Sequence, residues 1–542
     1  MKVSATIHKP QDDTEWQQLW LSLNYGRSNP LLFSMLDRAR KLGCVSILEE
    51  GAYIDRDFSA AYASFYALLF KPLSKYCRRL HLFSCDATPA FAGSDPAVIA
   101  NAVQGLSTHY LGDIVLRPLP HAPVSSARLS SSHLLAPERQ EVTVKSKYAV
   151  HAFGAEFNLE AMPLAQQDTR TGACAQATMW MAGRHFHTRH AAPWFSMPDI
   201  TEVALNPTDS GITRSLPAGS EYLTPDNMVR ALRAMGRHPV TYAPDVLVNG
   251  VLTWQNVRPR DVIMRYVDSG IPVILGLQQT GTSIGHGVVA VGVERTDARD
   301  LATLPSAPTT GEFVTHLLVN DDQRGSYCRM PVNAIDRTSE YPFCLETDIK
   351  FLLVPLPEKV FITAETAELV GRDLLKQVAA NRVTLAARSL GPGSTWDVDA
   401  SFYDLILHDV CMARTYLTYG WKYKARMLRN QCAEHLRKEL LSTQFPKYVW
   451  VTEFGLADEL KHLDPCARQI RAHTVVDASG SRFWESTLIV DAPGLTVFWQ
   501  FDPANFSVTP AAVIEAAPVA SPYWTKIRGQ ADYSTCAVPA AA

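Results

Sequence analysis

The sequence predicts an α+β protein of several domains, from three observations. The chain has 542 residues, too many for one ordinary core. Hydrophobic residues make up 47% and charged residues 19%, the balance of a chain that buries sizeable cores. Helical and strand periodicities fall into three blocks, read as a mixed α/β domain over 1–140, a central domain over 141–350 and an α+β domain over 351–542.

In the first block, helical patterns lie near 14–23, 31–42 and 60–73, and short β-branched runs at 45–48 and 113–116 read as strands. Prolines 118, 120 and 123 then interrupt regular structure, because proline cannot donate to a ladder. The serine-rich stretch 124–138 reads as a linker. In the second block, Thr224-Pro225 opens a helix with a cap and a first-turn proline, and Gly236 ends it. A helical repeat at Val262, Ile263, Tyr266 and Val267 precedes Gly270, and 272–277 is an apolar run of strand length. The third block starts with long helical patterns over 364–379 and 403–440 and passes into strands at 448–452 and 488–490; its last twenty or so residues read as a loose tail.

The formal net charge of −3, from 51 basic and 54 acidic residues with no long basic run, excludes the electrostatic footprint of a nucleic-acid binder. The N-terminus lacks the apolar core of a signal peptide, and no run reaches the roughly 18 apolar residues of a membrane span. No two of the ten cysteines stand at metal-ligand spacing, so neither a metal nor another cofactor is expected. Most read as reduced buried thiols, as in a cytoplasmic protein. His185, His187 and His190 read as a solvated helix end.

One cysteine has surroundings that suggest chemistry. In Gly172-Ala173-Cys174-Ala175, a polar loop meets a helical pattern carried by Ala177, Trp180 and Met181. Cys174 is then the first helical residue, where unpaired N–H groups and the helix dipole favour a thiolate. Such a nucleophile needs an imidazole partner from elsewhere in the chain. Gly285-His286-Gly287 heads the continuous apolar run 288–293, a buried strand that would carry His286 at its edge. A further apolar run, 313–319, ends in Asn320-Asp321-Asp322, which supplies a group to orient the imidazole. Asp321 is the first choice, with Asp322 and Asn320 as alternatives. Gln167 is the candidate side-chain donor for an oxyanion, together with the backbone N–H of Cys174.

This order, glutamine, cysteine, histidine before an apolar strand, then aspartate on the next strand, resembles the papain-like cysteine peptidases. Within them, the Gly-x-Cys-Ala, Gly-Ile-Pro-Val-Ile-Leu, Gly-His-Gly-Val-Val-Ala-Val-Gly and Leu-Val-Asn-Asp strings look like the bacterial branch related to the double-glycine leader peptidases. The resemblance covers about 155–335. Gln167 stands seven residues before the cysteine, one more than the family's usual spacing, and Asp322 stands where the family often has proline.

The resemblance implies a central papain-like domain, a helix bearing the nucleophile packed on an antiparallel sheet, flanked by two mixed α/β domains. It implies a cysteine peptidase or isopeptidase working through a Cys174–His286–Asp321 triad, a Gln167 oxyanion donor and a thioester acyl-enzyme. A peptide or protein is the expected substrate, and the flanking domains are the expected contact for any partner protein. Two other outcomes share these residues: a transglutaminase or deamidase, and a papain-like domain that binds peptides without cutting them.

Overall fold

The computed structural model describes residues 6–70, 72–168, 170, 173–205, 223–248, 251–279, 281–282, 285–390, 400–429, 434–480, 484–502, 504–505, 507–515 and 521–522. The protein is α+β, with helices laid on predominantly antiparallel sheets. Its two compact units interleave along the chain. The first comprises Met1–Ala243, Pro272–Gly292 and Leu317–Pro355, and the second comprises Pro244–Ile271, Val293–His316 and Leu356–Ala542. Residues 141–350, expected as one domain, therefore contribute to both. Among the described residues, no helix is long and apolar enough to cross a membrane.

The first unit begins with a five-stranded antiparallel sheet: Thr6–His8, Ser46–Tyr53, Cys77–Phe83, Tyr110–Leu116 and Val124–Leu129, in that spatial order. The last strand lies in the stretch expected as a linker. Ser125 and Ser126 did not prevent it, because Val124, Ala127 and Leu129 turn inward and are buried. The helices Asp13–Leu23 and Pro30–Lys41 match their periodicity and are capped by Asp12 and Asn29. The pattern at 60–73 is helical only as part of Arg56–Ser64, followed by a short 3-10 turn at Tyr66–Leu68. Tyr66 there turns into the interior, where its hydroxyl donates to Asp168 at 2.9 Å.

A further sheet positions the candidate site. Its strand order is Gly325–Pro331, Val314–Asp321, His286–Arg295, Val273–Leu277, Ile349–Pro357 and Arg237–Tyr242, with Gln140–Val142 also pairing with the His286 strand. Val273–Leu277 runs antiparallel to its neighbours on both sides. The His286 strand is buried along its whole length, as its apolar sequence requires.

The second unit holds a six-stranded antiparallel sheet, Met412–Tyr419, Tyr448–Gly455, Ala472–Asp477, Thr487–Ala492, Leu495–Asp502 and Ser507–Glu515. The expected helix over 403–440 is instead helix Ala400–Leu407, strand Met412–Tyr419 and helices Gly420–Arg429 and Glu434–Ser442. Met-Ala-Arg-Thr-Tyr-Leu-Thr-Tyr is rich in β-branched and aromatic residues, and pairing along eight positions with Tyr448–Gly455 overrides the helical spacing. Leu374, Val378, Phe402 and Tyr403 pack on one sheet core, while Tyr423, Leu436 and Leu440 belong to another. Cys466 is disulfide-bonded. The tail at 523–542 lies outside the described residues.

Candidate active site

The Cys174 helix, Cys174–His190, starts at the cysteine itself. Its first-turn N–H groups lack intrahelical acceptors, and Gln176 takes one neighbouring donor by accepting from the Ala173 N–H at 3.1 Å. Farther along, Trp180 Nε1 donates to Asp57 at 2.9 Å, and Arg184 forms an ion pair with the same carboxylate. The helix is thus fixed at its second and third turns while Cys174 is only partly buried. His185, expected in a solvated helix end, is buried, with Nδ1 at 2.9 Å from Ser146 Oγ. Its inward position follows the same helix face as Met181 and Ala182, which are also buried.

The His286 strand passes over the first turn of this helix. A Cβ on Gly287 would lie 2.9 Å from Thr178 Oγ1 and 3.7 Å from the carbonyl oxygen of Cys174. Only glycine allows that approach without displacement, and Thr178 is itself held by donating to the Cys174 carbonyl. The result is that Cys174 and His286 line the same cavity, where the thiol helps to raise the proton affinity of the ring.

His286 Nε2 lies 3.0 Å from Asp321 Oδ1, which leaves the ring's other nitrogen for the thiol. Asp321 is fully buried and heavily partnered. Oδ1 also accepts from the Gln323 N–H at 2.9 Å, while Oδ2 accepts from Arg324 at 3.2 Å and from the Tyr341 hydroxyl at 3.2 Å. Phe343 stacks on the imidazole, ring centroids 5.8 Å apart, and Arg324 lies over both Phe343 and Tyr341. The imidazole is therefore held by a carboxylate at its edge and an aromatic ring on its face.

Asp322 occupies a different position from Asp321. It too is fully buried, with Oδ1 3.8 Å from His286 Nε2. Among the described residues, neither of its oxygens completes a hydrogen bond of ordinary geometry. The groups that face it are His286, Asp321 and the backbone amide of Gln167.

These contacts set the charge states. Burial opposes a charged imidazole, but the hydrogen bonds with Asp321 and Cys174 and the charges of Asp321 and Asp322 outweigh it and lift His286 to about 10. Burial also opposes ionisation of Asp321, yet His286 and then Arg324 overcome it and hold its carboxyl below the usual range. For Asp322, burial and the nearby Asp321 charge outweigh the attraction of His286 and push it up to about 7.

Gln167 and Gln166 separate in role. Gln166 accepts from the Val124 N–H at 3.0 Å and donates to Asn29 at 3.3 Å, so its amide is spent on structure. Gln167 is partly exposed and lines a cavity with Asp322, Gln323 and Arg324. It is not among the residues that line the cavity of Cys174. The loop is anchored from below: buried Asp168 accepts from Tyr66 and lies 3.9 Å from Arg117, whose Nη2 donates to the Gln166 carbonyl at 2.8 Å.

Cys174 and His286 open on a cavity of about 400 Å³. Leu223, Met228, Leu275, Leu277 and Phe351 give it apolar walls, and Lys350 stands at its edge. Gly276 shapes one wall, because any Cβ there would fall within 2.2 Å of the Phe351 ring.

The structure thus brings Cys174, His286, Asp321 and Asp322 together. Sequence reasoning missed Tyr341, Phe343, Arg324 and Thr178; of these, only Thr178, one turn beyond Cys174, stood at a spacing that could have signalled its part. His286, Asp321 and Asp322 also form the one group among the described residues whose ligand atoms could surround a metal ion. Asp321 is already committed to His286 and Arg324, so this set reads better as an imidazole cradle. The chain matches no protein-family model and no curated protein.

Proposed function

We propose that this protein is a cysteine-dependent hydrolase of papain-like type, cutting peptide or isopeptide bonds. The observation that carries the reading is one imidazole held between a thiol at a helix start and a buried, ionised carboxylate. Cys174 attacks the carbonyl carbon, and the negative charge passes to the carbonyl oxygen. The backbone N–H of Cys174 steadies that oxygen. His286 gives its proton to the departing amine as the carbon–nitrogen bond breaks, leaving a thioester. It then takes a proton from water, whose oxygen attacks the thioester; the carbon–sulfur bond breaks, releasing the acid and the Cys174 thiolate beside the recharged imidazole.

The apolar walls of the 400 Å³ cavity suit a substrate with a bulky apolar side chain near the bond that is cut. Recruitment of protein substrates through the remaining domains belongs to the same reading.

The test is labelling by a peptide that carries an apolar side chain and a thiol-reactive electrophile, followed by mass analysis of peptides incubated with the protein. Labelling and chain cleavage, both lost in Cys174→Ala, are expected. Undiminished labelling in Cys174→Ala overturns the assignment of the nucleophile. A small mass gain on glutamine without cleavage would replace hydrolysis with deamidation, and joining of an amine would replace it with transglutamination.

A further inference from the structure

We propose that Asp322 is a second positioning carboxylate for His286, acting beside Asp321 to hold the imidazolium form against Cys174. The inference rests on the hydrolase reading above and assigns a group that a three-residue mechanism leaves without a task.

The charges around the ring lead to it. Asp321 divides its negative charge between two cations: Oδ1 faces His286 and Oδ2 takes Arg324 and the Tyr341 hydroxyl. Arg324 already balances one carboxylate in this cluster. Asp322 is fully buried, 3.8 Å from the same ring nitrogen, and makes no ion pair with any other described cation. A buried carboxylate without a counter-ion is costly, so an ionised Asp322 favours a charged His286. The groups facing this pair are Cys174 from the helix, Asp321 from the strand end, Arg324 from the turn, Tyr341 from the segment after the next strand, and the Gln167 backbone amide.

The consequence is directional. When His286 gives up its proton to the leaving amine, Asp322 loses its only close cation among the described residues. That strain is relieved when the ring takes a proton from the attacking water, so Asp322 favours the return half of the cycle. Asp321 orients the ring, and Asp322 supplies the balancing charge.

The experiment follows alkylation of Cys174 by iodoacetate, an anion that the imidazolium attracts, in the full chain against pH, with the Cys174 peptide quantified by mass spectrometry. In this reaction the sulfur forms a bond to the methylene carbon and iodide leaves, so no substrate is needed. Wild type, Asp322→Asn and Asp322→Glu are compared. The alkaline limb, which reports loss of the imidazolium, should fall by about one pH unit or more in Asp322→Asn, the scale of removing one close opposite charge. Asp322→Glu should restore most of it, which a purely structural role would not produce. An unmoved limb in Asp322→Asn that melts like wild type overturns the proposal. Should the Asn variant fail to fold, Asp322→Ser is read the same way. The ¹³Cε1 signal of His286 in Asp321→Asn gives a second readout: imidazolium persisting above its ordinary range supports Asp322, and an ordinary titration overturns it. Absence of any His286-dependent alkylation in wild type defeats the hydrolase reading itself, whereas a normal wild-type profile with an unmoved variant limb defeats only the role of Asp322.

Discussion

Both compact units bury charged clusters, but with different bookkeeping. In the second unit, Arg414 lies between Asp268 at 2.9 Å and Glu453 at 2.6 Å, and Glu453 also accepts from Tyr416 at 3.0 Å. Nearby, Glu368 meets Arg265 at 2.8 Å and Arg372 at 3.4 Å. Carboxylates there face guanidinium groups, and the cavity beside them is only about 10 Å³. In the first unit, two buried carboxylates face one imidazole, which shares with a thiol the lining of a cavity of about 400 Å³. Guanidinium keeps its proton throughout the accessible pH range, so the first arrangement is fixed. Imidazole gives and takes its proton, so the second can do work. Buried charge by itself is a poor guide to function; its pairing with a group that titrates beside an open cavity is the better one.

Breaking each cluster should therefore have different consequences. The largest effect is expected for Asp321→Asn, which leaves His286 unoriented and removes the charge facing Arg324: turnover should fall by about 10²- to 10⁴-fold, far more than the accompanying loss of stability accounts for in the protein that stays folded, measured by peptide cleavage and calorimetry. Arg414→Met should do the reverse. It removes the guanidinium that faces Asp268 and Glu453 and should cost about 3–5 kcal/mol in denaturant unfolding, with alkylation of Cys174 unchanged in the protein that stays folded. Gly287→Ala comes next. Its methyl group meets Thr178 Oγ1, so the His286 strand must shift, and activity should drop by up to about 100-fold. The double variant with Thr178→Ala, which clears that space, should recover much of the loss.

A pH series sharpens the same contrast. His286 is raised from 6.5 to about 10 in the folded protein, so the stability it contributes is fully present below pH 6.5 and is lost as the pH rises to about 10. The stability gap between wild type and His286→Gln should be wide at the acidic end of that window and narrow at its alkaline end. No such narrowing is expected for Arg414→Met. The smallest effect is expected for Tyr341→Phe, which removes one of four hydrogen bonds to the Asp321 carboxylate among the described residues and should cost about 1 kcal/mol in unfolding experiments.

Much of the site was legible because its parts lie on strong local signals. Cys174 stands where polar loop gives way to helical spacing, and His286 and Asp321 stand at the ends of apolar strands, where periodicity is hardest to misread. The choice between Asp321 and Asp322 was not legible: adjacent residues of one type differ here only in where their side chains point. Phe343 and Tyr341 come from a segment without strong periodicity, and they reach the ring only through the fold. The strand Met412–Tyr419 was hidden for a related reason. Its apolar residues also satisfy helical spacing, and the partner strand that decides the matter begins almost thirty residues later. Val124–Leu129 was obscured by serines and flanking proline, which mark loops by composition but do not forbid an antiparallel strand with a buried alternate face.

The most direct test of the central claim is the rate of Cys174 alkylation in wild type and His286→Gln near neutral pH. The thiol–imidazole pairing predicts rapid alkylation of Cys174 over the other cysteines, and a large loss of that advantage in His286→Gln. Equal rates in the two proteins, with Cys174 no faster than an ordinary exposed thiol, would contradict it.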